Sequence, residues 1–212
     1  MRELIQTKQI SVNYRHHLSE DSALLVCSRL GLLQCMAMLI DCNADVDAQD
    51  KLGRTSLMHV ALLQTETTEQ CVQLLLQARP KLGIKDRDHK TARDLALMPS
   101  VQRLLEDSEF QSKTTEAVQA IRDNKQPVLT EMLERKVIDV NTAFGPLRST
   151  LLMEAAKSGN SDTVELLVKA RAVVDAQDLS KRTALMIAAE SSKTDNVRSL
   201  LQAGARADVD DK

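Results

Sequence analysis

The chain has 212 residues, a formal net charge of −2 and a hydrophobic fraction of 43%, yet only three aromatic residues: Tyr14, Phe110 and Phe144. The length is ample for a buried core, and the balanced charge excludes a broad, sequence-independent grip on nucleic acid, which needs a strongly basic surface. No run approaches the roughly 18 apolar residues of a membrane span, so a core nearly without rings must come from Leu, Val, Ile, Met and Ala in many small helix contacts.

Met1 to Ile10 lacks the apolar stretch of a secretory signal. Leu4-Ile5 with Ser11-Val12-Asn13 reads as the tail of a preceding unit or an N-terminal segment over residues 1–21. From Ser22 a helix is predicted, ending at Gly31, where a left-handed residue suits the stop. A second amphipathic helix carries Met38-Leu39-Ile40, and Asp45-Val-Asp-Ala-Gln-Asp50 closes this first unit, 22–54. Thr55 opens the next, 55–90, with Ser-Leu-Met-His-Val-Ala, about three extra residues around Thr65–Thr68, and Leu74-Leu75-Leu76 on its second helix. Thr91 opens a short unit, 91–114, whose first helix is expected to stop at Pro99. A divergent unit follows at 115–149, with Ala117, Ala120 and Ile121 on one helix, Val128, Leu129, Met132 and Leu133 on the next, and Ile138-Asp-Val-Asn141 after them. Units 150–182 and 183–212 complete the chain. They hold Leu-Leu-Met-Glu-Ala-Ala after Thr150, a turn at Gly159, Leu166-Leu167-Val168, Val-Val-Asp-Ala-Gln-Asp178, and Ala-Leu-Met-Ile-Ala-Ala after Thr183.

The spacing from Ser22 to Thr55 equals that from Thr150 to Thr183, 33 residues, and several residue types recur with it. Each threonine suits a helix N-cap, and the Leu-x-x-Ala-Ala pattern places one large and two small side chains on a helical face. Glu69, Asp162 and Asp195 sit near the starts of second helices, favoured by the dipole. The polar stretches ending in Asp50, Asp86, Asp178 and Asp211 are read as extended loops or hairpins.

The sequence resembles the ankyrin repeat, whose pattern is Thr-Pro-Leu-His-x-Ala-Ala, a Gly turn, a second helix and Gly-Ala-Asp-Val-Asn. The resemblance covers nearly the whole chain. It implies an all-α solenoid of stacked helix-turn-helix units joined by hairpin-like loops, and a non-catalytic protein–protein interaction module of the adaptor or scaffold kind. The alternative is the regulatory or targeting region of a larger enzyme or channel; a repeat array with no evident polar terminal helix reads as a section of a longer protein. No Pro follows the threonines, and Leu25, Met58, Asp94, Met153 and Met186 replace the motif His. With that His its hydrogen bonds are expected to be lost, Met serving as filler.

No catalytic, cofactor or metal site is expected. There is no phosphate-binding Gly-rich loop; Gly145-Pro-Leu-Arg-Ser-Thr150 lacks the glycines and lysine. Cys27, Cys35, Cys42 and Cys71 have no zinc-ligand spacing, and as reduced thiols they imply an intracellular chain, cytoplasmic or nuclear. His16-His17 reads as a solvated pair, while His59 and His89 have no visible catalytic partner.

The family resemblance directs partners to hairpin tips and exposed first-helix faces. The tips are Lys51, Leu52 and Arg54; Arg87, Asp88, His89 and Lys90; Phe144 and Arg148; and Leu179, Ser180, Lys181 and Arg182. Their cations favour an acidic segment of another protein, although the same residues also fit a merely solvated edge. Phe144 reads either as a contact anchor or as packing at the irregular centre. Leu30, Leu62 and Leu63 add an apolar patch. Asn141, after Leu133 and Asp139-Val140, matches the spacing of hydroxylated ankyrin asparagines or stands as a structural residue. With few aromatics there is no stacking platform for nucleic acid. Oligomeric state is not legible.

Overall fold

The computed structural model describes residues 11–17, 20–158 and 160–207; the expectations for Leu4-Ile5, Gly159 and Asp211 lie outside them. Two compact units divide the chain, Met1–Glu109 and Phe110–Lys212, each with its own apolar core.

In the first unit the helices are α1 (Ala23–Leu30), α2 (Leu33–Asp41), α3 (Ser56–Ala61), α4 (Thr68–Gln77) and α5 (Ala92–Leu95). First helices α1, α3 and α5 pack side by side, second helices α2 and α4 do likewise, and each pair folds back on itself. Leu24, Met36, Leu57, Met58, Val72 and Leu75 fill the space between, all nearly inaccessible. Helix α6 (Pro99–Arg122) begins in this unit and continues into the next. Pro99 was expected to stop a helix and instead starts one: proline lacks an N–H that a first-turn residue does not need. Helix α5 ends earlier, at Leu95, where Ala96 turns extended.

The second unit holds the end of α6, then α7 (Gln126–Glu134), a two-residue hairpin of β1 (Ala143–Phe144) and β2 (Ser149–Thr150), α8 (Leu151–Ser158), α9 (Ser161–Lys169), α10 (Ala184–Glu190) and α11 (Thr194–Gln202). Here α8 packs on α10 and α9 on α11. Ala117, Ala120, Ile121, Leu129 and Met132 join Leu151, Leu152, Val164 and Leu167 in one core. Val128 on α7 is exposed.

Five first helices, α1, α3, α5, α8 and α10, are capped as the sequence suggests. The hydroxyls of Ser22, Thr55, Thr91, Thr150 and Thr183 accept the N–H three residues on, at 3.3–3.4 Å. The motif-His position departs from expectation. Thr55 N–H donates to the Met58 sulfur at 3.5 Å and Thr150 N–H to the Met153 sulfur at 3.3 Å, while Thr91 N–H donates to Asp94 Oδ2 at 2.9 Å. A thioether is a weak acceptor, so these methionines close capping boxes as well as filling space. After α1, Gly31 takes φ +67°, and an added Cβ would lie 3.2 Å from Leu63 Cδ1, so this turn favours glycine.

Leu75→Ala and Leu167→Ala, each in a different core, are expected to cost about 2–5 kcal/mol by urea denaturation. Leu75→Met should cost less than about 1.5 kcal/mol.

Candidate protein-interaction surface

Three loops share one local chemistry. In Asp50–Arg54, Asp86–Lys90 and Asp178–Arg182 the aspartate N–H donates to the carbonyl four residues on, at 2.9, 2.9 and 3.0 Å. The N–H of the fourth residue returns to the aspartate carbonyl at 2.9–3.0 Å. That fourth residue, Gly53, His89 or Lys181, is left-handed. Inside each loop the aspartate Oδ1 accepts two more backbone N–H groups, from Leu52 and Arg54, from Asp88 and Lys90, and from Ser180 and Arg182, at 2.8–3.0 Å. A short polar stretch thereby becomes a rigid tip whose inward amides are satisfied without a β ladder.

The second carboxylate oxygen ties each tip to its surroundings. Asp50 Oδ2 lies 2.8 Å from His59 Nε2, both side chains under a tenth exposed. Asp86 Oδ2 accepts from Arg54 Nε at 3.4 Å, and Asp178 Oδ2 from Arg182 Nη2 at 2.9 Å. His59, expected to be isolated, therefore has a partner, and it joins α3 to a tip. Burial alone raises each carboxyl. The backbone N–H of Arg54 and the His59 ring outweigh it at Asp50, those of Lys90 and Asp88 with the Arg54 side chain at Asp86, and Arg182 and Ser180 at Asp178. All three carboxyls end below the ordinary range.

Within each unit neighbouring tips are bonded directly. Arg87 N–H donates to Leu52 carbonyl at 3.0 Å, and Leu179 N–H to Leu147 carbonyl at 2.9 Å. A Cβ on Gly53 would meet Arg87 N and Asp86 Cα at 3.3 Å, so glycine permits this approach. A second row of stitches lies behind. Side-chain oxygens of Asn13, Asp47, Asn141 and Asp175 accept the N–H of Asp45, Lys81, Val173 and Arg206, at 2.7–3.0 Å. Asn141 also donates to Arg171 carbonyl at 3.4 Å, which is the structural part its position suggested.

The predicted contact residues separate into two kinds. Lys51, Leu52, Arg87, Asp88, His89 and Lys90 are exposed in the first unit, and Arg148, Leu179, Ser180 and Lys181 in the second. Arg54 and Arg182 instead turn inward to Asp86 and Asp178. Phe144 is half-buried, paired with Ser149 and packed on the second core. Leu147, which the sequence did not single out, stands 42% exposed beside Leu179 at 64%. On the first-helix face Leu30 and Val26 are exposed, and Leu62 and Leu63 half-buried. Among the described residues no group of three or more His, Cys, Asp or Glu side chains is placed to hold a metal, and no helix is long and apolar enough to cross a membrane.

Paired helices in two layers, threonine caps and repeated loop tips define a helical repeat protein. Residues 101–211 match the family model of ankyrin repeats in three copies, and residues 19–51 match that of the single ankyrin repeat. The chain belongs to the ankyrin-repeat family, an all-α solenoid fold whose repeats generally serve as protein–protein interaction modules and are typically non-catalytic. A mouse relative, ankyrin repeat and SOCS box protein 6, is 30% identical over 112 residues, covering 50% of this chain. The chain spans only 26% of that relative's length. Among solved structures, the ankyrin repeat domain of Bcl-3, a member of the IkappaB protein family, is 24% identical with a TM-score of 0.46, covering 89% of each chain.

Because the tip carboxyls are held low in the folded chain, their stabilisation is full above the unfolded aspartate value of about 3.9. It is lost as the pH falls through the lower folded values. Asp178→Asn should be less stable at pH 7 and lose less on acidification, read by urea titration across pH. Asp178→Ala, which strands two N–H groups and a guanidinium, should cost about 1–3 kcal/mol at pH 7.

Proposed function

We propose that this chain is a non-catalytic adaptor or scaffold module, binding an acidic segment of another protein through its hairpin tips with help from the first-helix faces. The observation that carries the reading is the sorting of tip side chains. Lys51, Arg87 and Lys90 in one unit and Arg148 and Lys181 in the other point outward, and none is in an ion pair among the described residues. Lys51, Arg87, Lys90 and Lys181 stand on backbone fixed by buried aspartates and are pre-organised, so binding through them costs little loop ordering. Charge complementarity would then speed encounter and set register.

Exposed Leu52, Leu147 and Leu179 stand among these cations. A segment alternating acidic and apolar side chains would meet both. The first unit's binding set keeps Lys51, Leu52, Arg87 and Lys90, with Asp88 and His89 at its margin, and the second unit's keeps Arg148, Leu179 and Lys181, with Ser180 at its margin. Arg54, Arg182 and Phe144 act from beneath, holding the loops that present it.

Affinity capture with the whole chain, quantified by mass spectrometry at rising salt, tests this. Partners should carry acidic segments, and their capture should fall with ionic strength. Replacing Lys51, Arg87, Lys90, Arg148 and Lys181 together by Glu should reduce it at least tenfold, with circular dichroism unchanged. Equal capture by that variant would defeat the basic-tip reading.

A further inference from the structure

Helices α1 and α2 form a tight hairpin pivoting on Gly31. Its backbone is fixed from both sides: Leu32 N–H donates to Cys27 carbonyl at 3.0 Å, Gly31 N–H to Ser28 carbonyl at 3.3 Å, and Leu33 N–H to Gly31 carbonyl at 3.0 Å. Cys27 lies four residues before the pivot and Cys35 four after, so the fold-back brings the last turn of α1 against the first turn of α2. The Cys35 thiol stands alongside Cys27 and adds to burial in pushing the Cys27 thiol up. Cys35 is exposed and Cys27 half-buried; Cys42 caps the far end of α2, and Cys71 is buried on α4 with its thiol directed at Gly31 carbonyl.

We propose that Cys27 and Cys35 are a redox-active dithiol that closes to a disulfide across this hairpin, with a hydroperoxide as oxidant. Exposure makes the Cys35 thiolate the first nucleophile. It attacks one peroxide oxygen, the O–O bond breaks, and the leaving hydroxide takes up the proton that the Cys35 thiol gave up and departs as water, leaving Cys35 as a sulfenic acid. Cys27 then attacks the Cys35 sulfur, the S–O bond breaks, and the departing hydroxide takes the Cys27 proton as a second water. Two thiols are oxidised by two electrons, and the hydroperoxide, hydrogen peroxide in the simplest case, is reduced to water. The division of labour follows the surroundings: burial, with the Cys35 thiol alongside, keeps Cys27 protonated until an electrophilic sulfur stands beside it. The fixed turn supplies the proximity that lets the second step outrun further oxidation.

The test uses the whole chain, reduced and then treated with equimolar hydrogen peroxide, with remaining thiols alkylated before peptide mapping. The expected result is a Cys27–Cys35 cross-linked peptide lighter by two hydrogens, with alkylatable thiols falling from the four cysteines to two, Cys42 and Cys71. Cys27→Ser should leave Cys35 as a sulfenic acid trapped by dimedone, and Cys35→Ser should slow oxidation of Cys27 at least tenfold. Independently of any oxidant, reduced wild type should hold one phenylarsine oxide through two sulfurs, and each single variant should lose it. Accumulation of Cys35 sulfenic acid in wild type with Cys27 still alkylatable would overturn the proposal. So would a bridge from either residue to Cys42, or failure to retain the arsenical.

Discussion

A buried carboxylate at the base of three hairpin tips is the interaction on which most of the surface depends. Asp50, Asp86 and Asp178 each gather two loop N–H groups with one oxygen and a cation or imidazole with the other. An amide of irregular backbone left unpaired next to a core costs a few kcal/mol. Here one side chain removes that cost within five residues. The loop is then rigid enough to bond its neighbour, and outward residues inherit their positions from an inward one.

The same economy explains the near-absence of rings. Cores made from Leu, Met, Val and Ala between short, evenly spaced helices have little room for a large aromatic. Phe144 sits where a two-residue strand pair replaces the usual loop and fills part of that irregular ground. Tyr14 and Phe110 are exposed, outside the packed layers. Each unit is a set of similar contacts rather than one keystone, in keeping with the nearly one-dimensional energetics of repeat proteins.

What was legible in the sequence was local or periodic. Thr55, Thr150 and Thr183 announce caps because hydroxyl and amide lie three residues apart, and the core leucines follow from helical period. What was hidden depends on chain reversal. Asp50 was visible as the end of a polar stretch, but the three contacts of its side chain exist only once the loop closes over it. Its imidazole partner lies nine residues on, across a turn. Arg54 reads as a surface cation and becomes internal only because Asp86, 32 residues later, is stacked beside it. Pro99 misled because a proline that breaks one helix equally suits the first turn of another. Met58 and Met153 were read as volume alone, since sulfur's weak acceptor strength leaves little mark on a pattern of residue types.

Those two methionines have a consequence for where such a chain keeps its shape. An imidazole at this place would change its charge between neutral and mildly acidic surroundings, and the cap would change with it. A thioether takes up no proton at any acidity a cell produces. The starts of α3 and α8 are therefore each clasped by a bond that is blind to acidity.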